Sequence, residues 1–104
     1  MTDRTAEDAA GEKVRVAARV TGRVQGVGFR HFTRQTARRL GVHGWVRNEP
    51  DGSVRLEVEG DPAAVAQLVE AAREGPGTAR VEQVTTEDRA VMNDSTPFSV
   101  RYHK

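Results

Sequence analysis

The stretch VRVAARVTGRVQGVGFRHFTRQTARRLG, residues 14–41, changes its hydrophobic period halfway through, and that change decides the fold. Val14, Val16, Ala18 and Val20 alternate with Arg15, Ala17 and Arg19. A period of two marks a strand with one buried face. After Thr21 and Gly22 the alternation stops, and from Phe29 the positions Phe29, Phe32, Thr36, Ala37 and Leu40 recur at helical spacing. Gly41 follows the last of them, where a left-handed cap is favoured, so the spacing predicts an amphipathic helix over 29–40. Between strand and helix stand Gly22, Gly26 and Gly28, with Arg30 on the first helical turn. Such a junction offers free backbone N–H groups and the positive end of a helix dipole, both of which suit an anion. The same glycines also suit a loop that merely turns tightly beside a solvated arginine, and their spacing alone leaves both readings open.

Outward from this unit, VHGWVRN (42–48) reads as a second strand, EPDG (49–52) as a turn and SVRLEVEG (53–60) as a third strand. Val54, Leu56 and Val58 are predicted inward, and Arg55, Glu57 and Glu59 outward. Asp61 suits a helix cap and Pro62 the first helical position, after which Val65, Leu68, Val69 and Ala72 form a stripe that ends before Gly75. ARVEQVTTED (79–88) is a fourth strand with imperfect alternation. A polar connection through NDSTP (93–97) leads to FSVRYHK (98–104), a short last strand with Phe98, Val100 and Tyr102 alternating. Two strand–helix–strand crossovers around a central hairpin give an α+β, ferredoxin-like βαββαβ sandwich: a mixed sheet of four strands plus a short fifth, with two helices on one face. Two helices cover only one face, so Arg15, Arg19, Glu57 and Glu59 are expected to meet water. Glu57 and Glu59 therefore read as a solvated sheet face rather than as a catalytic carboxylate pair.

The length of 104 residues and 37% hydrophobic content support one core. Residues 1–12 lack periodicity and are expected to be a disordered tail, leaving 13–104 as the folded domain. The formal net charge is +1, with basic residues spread along the chain, and the exposed sheet lacks the interleaved aromatics that stack on bases. Nucleic acid is thus not an expected partner, and Arg34, Arg38 and Arg39 with Arg30 are not read as a nucleic-acid stripe. Absence of cysteine excludes disulfides, thiolate catalysis and Cys-based zinc sites. His31, His43 and His103 are scattered over three elements without ligand spacing, so no metal site and no cofactor are expected. No run approaches a signal-peptide core or the roughly 20 apolar residues that span a bilayer, which makes a cytoplasmic protein without membrane attachment the expectation.

Known phosphate fingerprints fail on this loop. A Walker loop needs Gly-Lys-Ser or Gly-Lys-Thr where Gly28 is followed by Phe29 and Arg30, and a dinucleotide fingerprint needs glycine where His31 stands. What remains is a short cradle with the guanidinium fork of Arg30, which can hold a phosphoryl group bidentately.

GRVQGVGFR (22–30) and the series Gly44, Trp45, Asn48, Gly52, Val54 and Gly60 resemble, in register, the two sequence patterns of the acylphosphatase family, and the similarity extends over about residues 14–102. The resemblance implies a ferredoxin-like enzyme that hydrolyses carboxylic–phosphoric mixed anhydrides, releasing inorganic phosphate. Mapped onto this chain, it implies that Arg30 and the backbone amides of Gln25, Gly26, Val27, Gly28 and Phe29 bind the phosphate, and that the Asn48 side chain orients the attacking water. It implies no metal, and small-molecule partners only, with the chain a free-standing monomer rather than a domain of a larger carbamoyl-transfer protein. The alternative is a phosphate-binding or protein-interaction module without turnover. Asn48 separates the two, because a binding module has no use for an amide that holds water. Two features depart from the family pattern: a longer N-terminal tail, and Glu49 after Asn48, a carboxylate that would repel substrate if it pointed inward.

Overall fold

The period switch is a structural boundary in the computed structural model, which describes residues 12–102. The expected tail, apart from Glu12, and His103 lie outside the described residues. Strand β1 (Val14–Arg23) leads through the glycine loop into α1 (Phe29–Leu40). Then follow β2 (His43–Asn48), β3 (Val54–Gly60), α2 (Pro62–Glu74), β4 (Arg80–Arg89) and β5 (Ser99–Arg101). The strands form one sheet in the order β4-β1-β3-β2-β5, antiparallel except for the β2–β5 pair. Both helices lie on one face, as the crossovers require.

The inward residues of β1 and β3, Ala18, Val20, Val54, Leu56 and Val58, meet Phe29 and Ala37 of α1 and Leu68 and Ala72 of α2 in one core, which Phe98 completes beside β5. Gly41 ends α1 at φ 73°, a left-handed conformation that costs glycine little. Pro62 opens α2 as expected, but Asp61 caps it differently: its carboxylate makes no capping bond, and its carbonyl accepts from Val65 N at 2.9 Å.

The expectation that the other sheet face meets water is wrong at one end. Arg15 is 3% exposed and Glu59 is fully buried. The reason is the connection between β4 and β5, whose residues return across this face. Glu59 Oε1 accepts from Met92 N at 2.8 Å and from Arg15 Nη1 at 3.2 Å, and Oε2 accepts from Asp94 N at 2.9 Å. Arg15 Nε also donates to Glu57 at 2.8 Å. Burial pushes the Glu59 carboxyl up, but these donors outweigh it and hold the group below the usual carboxylate range. Towards the other end the face is open, and the exposed Arg19 pairs with Asp51 at 2.7 Å. Trp45 packs on this face with the guanidinium carbons of Arg47 and Arg101 at 4.8 and 4.9 Å from its ring centroid. Among the described residues no helix is long and apolar enough to cross a membrane.

Candidate active site

The glycine loop is pinned by buried side chains at both ends. Val24 drops into the core just after β1, and Phe29 does so at the start of α1, where its ring meets Phe32 edge-on at 6.2 Å. Between them Gly26 and Gly28 adopt φ of 75° and 80°. A Cβ at either would meet no neighbouring atom, so the backbone angle rather than crowding calls for glycine.

A second connection ties this loop to the turn after β2. Gln25 Nε2 donates to the carbonyls of Glu49 and Ser53, both at 2.8 Å. The turn is itself closed by Glu49 N to Ser53 O at 2.8 Å, and Asp51 Oδ1 accepts from Ser53 N and Oγ at 2.9 and 2.6 Å. The Ser53 hydroxyl, followed by Arg19, holds the Asp51 carboxyl well below the usual range. Asn48, the last residue of β2, is thereby held in a set relation to the loop that precedes Arg30.

These elements enclose a cavity of about 180 Å³ lined by Val24, Gly26, Gly28, Phe29, Arg30, His31, Arg34, Asn48, Val100 and Tyr102. Among the described residues that line it three are basic and none is acidic. Arg30 is half-buried, its guanidinium carbon 5.0 Å from the Tyr102 ring centroid. Among the described residues the Oδ1 of Asn48 is buried without a hydrogen-bond partner. A buried acceptor without a partner is uncommon in folded proteins. Among the described residues no group of three or more His, Asp or Glu side chains gathers as a metal site.

Of the residues predicted for the site, Gly26, Gly28, Phe29, Arg30 and Asn48 meet at this cavity. Gln25 and Val27 do not line it: Gln25 serves as the tether, and Val27 packs partly buried against the core. Glu49 also stays out of the lining, with its carboxylate on Arg47 Nε. The last strand, read as 98–104, is β5 at Ser99–Arg101, so Tyr102 lies just past it, 74% exposed and lining the cavity. Val24, His31, Arg34 and Val100 also line the cavity without having been read as site residues, and Arg34 is the one that brings a further fixed charge. Its spacing of four from Arg30 on a predicted helix was the available signal.

Fold and cavity define a small α+β protein with a glycine-framed, basic pocket at the end of its sheet, suited to a compact oxyanion. The family model described as acylphosphatase matches residues 16–100. An acylphosphatase of Salinibacter ruber is 66% identical over 91 residues, covering 88% of this chain and 96% of the relative. Among solved structures, an acylphosphatase from Coxiella burnetii superposes with a TM-score of 0.83 at 35% identity, covering 97% of this chain and all of the other. One from Bacillus subtilis gives 0.82 at 34% identity, covering 86% and 99%. The chain belongs to the acylphosphatase family.

Proposed function

We propose that this chain hydrolyses acyl phosphates by in-line attack of a water held by Asn48 on a phosphoryl group bound by Arg30 and the backbone amides of the loop residues that line the cavity, Gly26, Gly28 and Phe29. The observation that carries the reading is that Asn48, whose buried Oδ1 has no partner among the described residues, lines the same cavity as Arg30. An acceptor there suits a water O–H, and it leaves the water oxygen free to attack phosphorus. As the new P–O bond forms, the bond between phosphorus and the acyl oxygen breaks, and the carboxylate leaves with the electron pair. The acyl phosphate dianion and water become a carboxylate and dihydrogen phosphate, so charge and atoms balance.

A carboxylate leaves without a strong general acid, so the reaction chiefly needs positioning and neutralisation of charge on the equatorial oxygens. Arg30 supplies a planar fork and the loop supplies amides, while the Gln25 tether keeps both in line with Asn48. The scheme assigns no step to a metal. It treats residues 13–104 as the catalytic unit, acting as a cytoplasmic monomer on small molecules.

The test is paired on one sample. Asn48→Ala is expected to lower kcat on an aryl acyl phosphate by roughly a hundredfold, the scale of losing one preorganised polar group, while inorganic phosphate still binds. Near-native turnover per folded molecule, with only stability reduced, would remove Asn48 from the chemistry, whereas a native chain that binds phosphate but does not turn over the acyl phosphate would be a phosphate-binding module.

A further inference from the structure

Arg30, Arg34 and Arg38 recur every fourth residue along α1 and so stand in one line, which faces β5 and its flanks. Two of the three have partners there. Arg38 Nε donates to the Phe98 carbonyl at 3.0 Å, just before β5, and Arg30 stacks on Tyr102, just after it. Arg34, between them, is half-buried and lines the cavity beside Val100 and Tyr102. Among the described residues it meets no carboxylate, and its Nη2 lies 3.2 Å from His31 Nδ1 on the preceding turn. Since a guanidinium only donates, this contact makes Nδ1 the acceptor and steadies Arg34 without neutralising it.

Cations one turn apart repel, and half-burying one with no carboxylate beside it among the described residues adds a desolvation cost, so the placement of Arg34 is electrostatically unfavourable for the fold. The cavity gains from it. With the phosphoryl group against Arg30 and the glycine loop, the remaining walls are His31, Arg34, Val100 and Tyr102, and these are left for the acyl group. Arg34 lies about 6 Å further along the helix axis than Arg30, the rise of four residues and within the reach of a substituent on a small acyl group.

We propose that Arg34, steadied by His31, is a second anion subsite that makes this chain favour acyl phosphates whose acyl group carries its own carboxylate. The inference rests on the hydrolytic reading above. It deepens that reading by naming a substrate class, an anionic rather than a neutral acyl group.

The test compares 4-carboxybenzoyl phosphate with 4-methylbenzoyl phosphate, two rigid substrates of nearly equal shape that differ in charge. The quantity read is the ratio of their kcat/KM values, from which any general damage to the enzyme cancels. Arg34→Gln is expected to lower this ratio about tenfold, the worth of one partly exposed charge-assisted contact, with the change carried by KM. Arg34→Lys, which keeps the charge, is expected to restore part of it. A ratio that does not move in Arg34→Gln overturns the subsite while hydrolysis of both compounds by the native chain leaves the proposed function standing. Failure of the native chain to hydrolyse either compound overturns both.

Discussion

Replacing Glu59 by glutamine keeps size and shape but removes the charge on which the β4–β5 connection is fastened. The carboxylate accepts three hydrogen bonds, from Met92 N, Asp94 N and Arg15 Nη1, and is fully buried. A glutamine has one acceptor oxygen, and its NH2 must face one of these donors. One buried N–H then loses its acceptor, at about 1–3 kcal/mol. The nearly buried Arg15 also loses one of its carboxylates, although Glu57 at 2.8 Å and Asp94 at 3.7 Å remain. Uncompensated breakage of a buried pair costs about 3–5 kcal/mol, and the remaining partners place Glu59→Gln at roughly 2–4 kcal/mol. Urea unfolding should show this as a lower midpoint with an unchanged slope. A second readout is pH. The Glu59 pKa is lowered in the folded chain, so its contribution is present above the unfolded value near 4.3 and lost as pH falls through the folded value. The native and variant stabilities should therefore draw together as pH falls from the unfolded value of about 4.3 through the lowered folded value. A loss under about 0.5 kcal/mol, or a difference that stays constant with acidification, would refute the account of the strap as charge-fastened.

Gly44→Ala is expected to fail by collision: at φ 134° its Cβ would lie 1.9 Å from the Glu57 carbonyl oxygen, and strain plus overpacking amount to about 2–6 kcal/mol, readable as a large fall in thermal midpoint. Arg30→Lys keeps the charge but not the planar fork and should lose roughly a hundredfold or more in kcat/KM. Activity within a few-fold of native would show that a point charge suffices at this position.

Much of this protein was legible along the chain, because its elements announce themselves locally. The alternation in β1, the helical spacing from Phe29 to Leu40 and the turn at Pro50 and Gly52 depend on near neighbours, and the boundaries fall within a residue or two of those read from the pattern except at the last strand, read to 104 and ending at Arg101. Gly26, Gly28, Phe29 and Arg30 were legible for the same reason: a strand, a loop needing positive φ and a helix start are contiguous. Asn48 was singled out by its place in a family pattern, not by local chemistry.

Tertiary structure alone decided the rest. Nothing near Glu59 in the chain distinguishes it from Glu57, since both alternate outward. Only the return of residues 92 and 94, more than thirty positions later, buries one and supplies its donors. The Gln25 tether crosses 24 and 28 residues, the Arg30 stack needs β5 to end at Arg101, and the cavity that brings Asn48 together with Arg30 is walled by residues of the loop, of α1 and of β5 and its flank. Periodicity reports which face of an element points away from water, but not what the topology later lays across the other face. Long-range partners follow from strand order, and that order is set by how the whole chain buries its apolar faces together.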